Sequence, residues 1–233
     1  MNHLRFPYWP QAKLDRLLRR WSTPGRLPYA WETDRVFARI TAWTRNPLVP
    51  NWLRGDPEHV RKRLEDWTHA VWGWTLPCQD VICVLSRVIP SDDFRIIDVG
   101  AGRGNWTRVL SGHFGHDHVV GIERNPRDPL LHFMTFQDWL DENGPLSKRY
   151  IVFLSYPPCC RQEGSDLSVE VVDAMVPEQY LLYLGEGSSG ADGPPEFHRR
   201  LSREYTEFTT VPIPSESPFR LPRPSARMLV RRA

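Results

Sequence analysis

The sequence predicts an α/β protein with a mostly parallel sheet and helices on both faces. From Phe94 onward, short apolar runs alternate with amphipathic segments, which is the pattern of strands connected by helices. The predicted strands are FRIIDVG, HVVGIE, RYIVFLS and QYLLYLG, with a closing antiparallel pair in FTTVPIP and ARMLVRR. The predicted helices between them lie at 105–112, about 137–142 and 168–176. In such a sheet, ligands bind beyond the carboxyl ends of the strands.

The N-terminal third has a different character, so we divide the chain into a cap (1–75) and a ligand-binding domain (76–233). The cap contains 13 Lys and Arg against 7 Asp and Glu, although the net charge of the whole chain is only +2. It also contains eight of the ten tryptophans. Helices are predicted at 10–21, 32–45 and 56–72, and a fourth at 78–89 leads into the sheet.

Two interpretations of the cap stay open. Tryptophans at helical spacing favour packing of a helical subdomain against the core. Basic residues interleaved with aromatic ones are also typical of nucleic-acid binding through phosphate contacts and base stacking. A nucleic acid is therefore a candidate partner of the cap.

The composition indicates whether the protein contacts a membrane, forms disulfide bonds or binds a metal. No apolar run approaches the roughly 20 residues of a membrane span, and the N-terminus lacks the apolar core of a signal peptide, so we expect a cytoplasmic protein without membrane contact. The four cysteines form no C-x-x-C pair, which favours reduced thiols and predicts no metal site. The sequence does not predict an oligomeric state.

A glycine-rich turn follows the first predicted strand in DVGAGRGNW, residues 98–106. Gly100, Gly102 and Gly104 let the backbone run close to a ligand, where side chains would block the approach. The spacing is G-x-G-x-G, and Asn105 stands where a dinucleotide fingerprint requires glycine, which disfavours an NAD-dependent enzyme. Asp98, at the start of the motif, suits a ligand that carries a positive amine.

Carboxylates follow at the ends of the next two strands. Glu123 ends VVGIE, nineteen residues after Gly104, where a carboxylate can accept from both hydroxyls of a ribose. Asp138 follows a short strand in FMTFQDWL. We expect Asp138 to accept a hydrogen bond from an adenine amine, with Trp139 packing beside the ring.

DVGAGRGNW followed by VVGIE resembles the first two motifs of the class I S-adenosylmethionine (SAM)-dependent methyltransferases. The resemblance implies a Rossmann-like class I methyltransferase fold over roughly 74–233, with SAM as cofactor. It implies that the three glycines line the methionine and ribose of the cofactor, that Asp98 faces its amino-acid end, that Glu123 binds the ribose and that Asp138 binds the adenine. Ala101 in the turn and Ser155 at a later strand end complete the predicted cofactor-binding set.

A narrower resemblance involves segments spread along the chain. GWTLP (73–77), FLSYPPC, YLGEG (183–187), EFH (196–198) and VPIP (211–214) are similar to segments of a largely uncharacterised methyltransferase-like group. Tyr156 stands where that group has Trp, and Cys159 where it has Tyr. SSGADGPPEFH replaces a segment that carries paired acids in the group.

The loop Tyr156-Pro157-Pro158-Cys159 carries the candidate acceptor chemistry. In enzymes with N-P-P-Y at this place, the first side chain and the first proline carbonyl accept from an exocyclic amine. We therefore predict catalytic roles for Tyr156 and for the carbonyl of Pro157. Glu186, after the strand QYLLYLG, is the candidate base, with a turn cap as its alternative. The loop itself has an alternative role of shaping the cofactor pocket only.

The function predicted from the sequence is methyl transfer from SAM to an unidentified acceptor, with a base or another nucleic-acid group among the candidates. The alternative is a catalytically altered methyltransferase-like module that binds RNA or a protein partner. The intact glycine motif and Glu123 favour the enzyme, whereas the altered tetrad favours the module.

Overall fold

The computed structural model describes residues 75, 77–89, 93–126, 129–158, 167–188, 192–213 and 225–233, together with the isolated helical positions Arg35, Ala38 and Ala42. Those three positions fall within the predicted helix 32–45. Apart from Thr75 at its end, the rest of the predicted cap lies outside the described residues, as do Cys159 and Cys160. The division at residue 75 therefore stays a prediction. Over the described ranges, no helix is long and apolar enough to cross a membrane.

Helices and strands alternate along the described chain, as the sequence predicts. The helices are α1 (Gln79–Val88), α2 (Asn105–Phe114), α3 (Phe136–Asn143), α4 (Leu167–Ala174) and α5 (Pro195–Glu204). The strands are β1 (Arg95–Val99), β2 (Val119–Glu123), β3 (Leu131–Phe133), β4 (Tyr150–Ser155), β5 (Tyr180–Gly185), β6 (Tyr205–Pro212) and β7 (Ser225–Arg231). A short 3-10 turn, His116–His118, leads into β2.

The strands form one sheet in the order β3-β2-β1-β4-β5-β7-β6. β1 to β5 run parallel to one another, whereas β7 runs antiparallel to both of its neighbours, β5 and β6. In register, Asp98 of β1 lies between Gly121 of β2 and Phe153 of β4. The predicted mostly parallel sheet and its closing antiparallel pair are therefore confirmed.

Each face of the sheet is covered by its own helices. Val81 of α1 and Trp106 of α2 belong to the apolar cluster on one face, together with Ile96 of β1. On the other face, Val171 of α4 belongs to a second cluster together with the adjacent strand residue Ile97. This explains why the central strands are continuously apolar, since each buried Ile or Val stabilises the fold by about 1.5–3 kcal/mol.

The observed helices depart little from the predicted ones, and the main difference lies near the C-terminus. The predicted strand 208–214 begins earlier, at Tyr205, directly after α5. Tyr205 is buried beside Phe197 and Leu201 of α5 in the same apolar cluster. Because these three aromatic and aliphatic side chains cover one face of the sheet together, the chain passes from helix to strand without a loop.

Candidate functional site

The carboxyl ends of β1, β2, β4 and β5 bring the predicted site residues to one edge of the sheet. These ends are the turn after Val99, Glu123, Ser155 with Tyr156, and Gly185 with Glu186. Because the four strands are parallel neighbours, segments that are separated by up to 90 residues meet here. We call the β1–β2 half of this edge the cofactor half and the β4–β5 half the acceptor half.

The glycine turn adopts a backbone conformation that side chains disfavour. Gly100, Gly102 and Gly104 have φ values of +68°, +57° and +73°. The amides of Gly100 and Ala101 donate to the Ile122 carbonyl at 2.9 and 3.0 Å, which anchors the turn on β2. A Cβ at Gly102 would meet no atom within 4 Å, so the space beside this glycine is open.

Glu123 connects the turn to the end of β2. Its Oε2 accepts from the Gly102 amide at 2.7 Å, and its Oε1 accepts from the Asn125 amide at 3.1 Å. A carboxylate oxygen has a second lone pair, so each oxygen can still accept from a ligand hydroxyl. The geometry thus suits the ribose contact that the sequence predicts.

Asp98 lies beneath the glycine turn, near the end of β1. It is only 1% exposed, and the Thr107 hydroxyl donates to its Oδ2 at 2.6 Å. Burial raises the pKa of Asp98 to about 7, although the hydrogen bonds from Thr107 oppose the shift. The carboxyl group therefore changes charge near neutral pH, beside the region where an amine is predicted to bind.

Asp138 and Trp139 lie in the first turn of α3, beyond the end of β3. The Asp138 carboxylate accepts from the amide and hydroxyl of Thr135 at 3.0 and 2.6 Å, forming a capping box that lowers the pKa of Asp138. Trp139 is 4% exposed, and its ring contacts Tyr150 edge-on at 5.6 Å. Core packing therefore explains Trp139 and does not favour its predicted contact with an adenine ring. The adenine role of Asp138 stays a prediction.

Ser155 is connected to the segment that precedes α1. Its hydroxyl lies 2.8 Å from the hydroxyl of Thr75, and that hydroxyl accepts from Trp106 Nε1 at 2.6 Å. Thr75 is buried. The sequence analysis missed Thr75, because its partners lie 31 and 80 residues away along the chain.

Tyr156 follows β4 with a φ of +48°, a left-handed conformation that costs a bulky residue about 1–2 kcal/mol. Its amide donates to the Leu184 carbonyl at 2.9 Å, and its hydroxyl donates to Glu186 Oε1 at 3.4 Å. Both ends of the residue are thus held against the exit of β5. The structure brings together two of the three predicted catalytic residues.

Pro157 fixes the loop after Tyr156 to the chain that precedes α5. It is buried, and its carbonyl accepts from the Gly193 amide at 2.8 Å. From the sequence, this carbonyl is predicted to have a catalytic role, as the acceptor of a hydrogen bond from the group to be methylated. Its second lone pair leaves that prediction open, but the contact with Gly193 already gives the carbonyl a structural role.

Asp192 is the acidic residue that the sequence analysis missed in this half. It is 1% exposed, its Oδ1 accepts from the Glu186 amide at 3.0 Å, and its Oδ2 accepts from the Tyr183 hydroxyl. Burial raises the pKa of Asp192, against the hydrogen bonds from Tyr183 and Glu186. The Asp192 carbonyl accepts from His198 Nε2 at 2.6 Å, so that nitrogen carries the ring proton.

The part of the chain that the structure describes holds no cluster of three or more His, Cys, Asp or Glu suited to a metal ion.

No protein-family model and no curated protein matches the sequence. Among solved structures, the chain is similar to a SAM-dependent methyltransferase from Anabaena variabilis, with 10% identity, 77% of this chain and 96% of that chain covered, and a TM-score of 0.48. It is similar to a precorrin-6y C5,15-methyltransferase from Geobacter metallireducens (17% identity, 68% and 91% covered, TM-score 0.44). It is also similar to an rRNA methylase from Streptococcus thermophilus (13% identity, 77% and 98% covered, TM-score 0.39). Likeness at this level assigns no function to the chain.

Proposed function

We propose that the protein is a SAM-dependent methyltransferase that acts on an acceptor still to be identified. The observation that carries the proposal is the glycine turn at the end of β1. Its Gly102 amide donates a hydrogen bond to the carboxylate of Glu123 at the end of β2. Three left-handed glycines with open space at Gly102 form a cradle for a ligand that has both a ribose and a chain running past the turn.

The residues of the cofactor half fit SAM in three respects. Glu123 would accept from the ribose hydroxyls, and the turn from Gly100 to Gly104 would run beside the methionine part. Asp98 is 1% exposed beneath the turn, so its ionised form would favour the ammonium group without contacting it, and its raised pKa weakens this attraction near neutral pH. The Asp138 carboxylate, which also caps α3, would accept a hydrogen bond from the adenine amine. Bound SAM supplies an electrophilic methyl group on a sulfonium.

The acceptor half would bind and orient the group to be methylated. In-line displacement depends mainly on positioning and on exclusion of water. The Tyr156 amide donates to Leu184 and its hydroxyl to Glu186, and Pro157 and Pro158 restrict the backbone of the loop beside it. In this arrangement the Glu186 carboxylate would accept a hydrogen bond or a proton from the acceptor, and Tyr156 would orient that carboxylate.

The proposal is tested by calorimetry with SAM on the wild type, Glu123→Ala and Glu142→Ala. We expect a Kd in roughly the micromolar range for the wild type, and binding weakened by about 10-fold or more in Glu123→Ala because hydrogen bonds to a charged group are lost. Glu142 is exposed on α3, so Glu142→Ala is a matched control that should bind like the wild type. Absence of SAM binding by the wild type would contradict the proposal.

Methyl transfer itself is tested with radiolabelled SAM and fractions of RNA, protein and small molecules. The basic cap makes RNA the first fraction to try. We expect label to enter one fraction, and Glu186→Gln to reduce the transfer while SAM affinity is unchanged.

The second candidate is a methyltransferase-like module that binds RNA or a protein partner. It is favoured by the basic, tryptophan-rich cap and by Tyr156 and Cys159 at the positions that recognise amines in related motifs. A single-stranded RNA probe titrated at several salt concentrations tests it. Steeply salt-dependent binding without label transfer would favour the module over the enzyme.

A further inference from the structure

Asp192 is a buried carboxylate that connects three elements of the acceptor half. Its Oδ2 accepts from the hydroxyl of Tyr183, which lies in β5, and its Oδ1 accepts from the amide of Glu186, which follows β5. Its main-chain carbonyl accepts from His198 in α5. A side chain that is 1% exposed and has both oxygens engaged is not a surface residue that happens to lie near the site.

The surroundings of Asp192 require a side chain that only accepts. A backbone amide cannot reverse its role, so Oδ1 must accept from Glu186. The Tyr183 hydroxyl accepts from the Gly187 amide at 3.3 Å, which leaves its proton for Oδ2. An asparagine would present an NH2 group to one of these donors.

The backbone around Asp192 is built to bring it close. A Cβ at Gly185 would overlap both Asp192 Oδ2 and the Tyr183 hydroxyl, so only glycine allows this approach. The next residue, Gly193, has a φ of +66° and donates its amide to the Pro157 carbonyl at 2.8 Å. Asp192 is therefore continuous with the contact that holds the loop after β4.

Asp192 contacts the Tyr156–Glu186 pair through the main chain of Glu186. Asp192 binds the Glu186 amide, the Glu186 carboxylate accepts from the Tyr156 hydroxyl at 3.4 Å, and the Tyr156 amide is held by Leu184. The long hydroxyl contact is the weakest link of this series. A shift of the Glu186 main chain would therefore separate the pair first.

We propose that Asp192 is a positioning residue that holds Glu186 against Tyr156 and so fixes the pair that faces the acceptor. The acceptor-facing role of the pair rests on the proposed methyl transfer, whereas the contact between Asp192 and the pair does not. Asp192 does not touch the acceptor or the cofactor in this proposal. It acts through the main chain of Glu186.

The test places 3-fluorotyrosine at position 156 and records its 19F resonance in the full-length protein. Glu186→Gln provides the reference displacement for a disturbed pair. We expect Asp192→Asn to move the resonance in the same direction, and Tyr183→Phe to move it less, because Tyr183→Phe removes only one donor to Asp192. Ile82→Val, a conservative buried change on the opposite face of the sheet, should leave the resonance in place.

The outcomes separate this proposal from the proposed function. An unchanged resonance in Asp192→Asn and Tyr183→Phe, or in Glu186→Gln itself, would overturn the positioning role. If Asp192→Asn does not fold, the resonance of Tyr183→Phe decides. Calorimetry with SAM on Tyr183→Phe should give a Kd within about twofold of the wild type, because the change lies in the acceptor half. If the resonance shifts as expected in the variants but the wild type binds no SAM, the proposed methyl transfer is overturned and the positioning role of Asp192 stands.

Discussion

The two halves of the sheet edge are built in different ways. In the cofactor half, backbone amides of the glycine turn donate hydrogen bonds to the Ile122 carbonyl and the Glu123 carboxylate, and the space beside Gly102 is open. In the acceptor half, side chains from β4, β5 and α5 hold one another, and Asp192 is buried among them. The cofactor half is an open turn of glycines, which have no side chains to fill the space beside them. The acceptor half is a cluster of hydrogen-bonded side chains that fixes the positions of Tyr156 and Glu186.

The largest effect is expected for alanine at Gly185 in the acceptor half, with Gly112 of α2, which lies outside the edge, as the control. Gly185→Ala should lower the free energy of unfolding by about 2–4 kcal/mol, because the new Cβ overlaps the buried Asp192 and Tyr183. Gly112→Ala, in α2 with no atom within 4 Å of its Cβ, should raise it by about 0.5–1 kcal/mol. Urea unfolding measures both, and equal stabilities would contradict the close packing at Asp192.

A smaller effect is expected for the hydroxyl that connects the halves. Thr75→Val removes the acceptor of Trp106 Nε1 and the partner of Ser155, and should cost about 1–3 kcal/mol because a buried donor is left unsatisfied. Ser155→Ala removes one contact of the same group and should cost less. A double-mutant cycle tests the connection, since additive losses would show that Thr75 and Ser155 do not interact.

The third effect depends on pH and concerns the charge of Asp98. Its pKa is raised to about 7 in the folded protein, against about 3.9 in an unfolded chain, so the folded state retains a proton over roughly pH 4–7 that the unfolded state loses. The stability contributed by this group is therefore complete below about pH 4 and is lost as the pH rises through about 7. Asp98→Asn should remove this dependence.

Urea unfolding at several pH values measures the difference in stability between the wild type and Asp98→Asn. The free energy of unfolding of the wild type minus that of Asp98→Asn should fall by at most about 1.4 kcal/mol per pH unit as the pH rises between about 5 and 7. A wild-type stability that rises relative to Asp98→Asn over this window would contradict the raised pKa.

The sequence predicted the cofactor half better than the acceptor half for a physical reason. Gly100 to Gly104 and Glu123 are identified by local spacing, and each stands at the end of an apolar run that fixes its position on the edge. Thr75 and Asp192 have no such signal, because their roles depend on partners brought together by tertiary packing. Apolar periodicity likewise predicted the helices and strands but not where the core would place Trp139.

The contacts of Tyr156 were also beyond local reasoning. The two prolines predicted that the strand ends in a loop, and the structure places Pro157 and Pro158 in the loop after β4. The left-handed backbone of Tyr156 and its bond to Glu186 arise from the pairing of β4 with β5, and 30 residues separate the partners. Sequence patterns marked both residues as candidates but could not show that they touch.

Calorimetry with SAM on the wild type, Gly102→Arg and Gly144→Arg tests the central claim most directly. Both glycines have positive φ, and a Cβ added at either would meet no atom within 4 Å. Gly144 has φ 81° and ψ −179°, a region that is essentially restricted to glycine, so Gly144→Arg should cost at least as much stability as Gly102→Arg. Only Gly102 lies in the cradle, whereas Gly144 ends α3. The account predicts that the wild type and Gly144→Arg bind SAM and that Gly102→Arg does not. Binding that survives in Gly102→Arg, or is absent from the wild type, would contradict it.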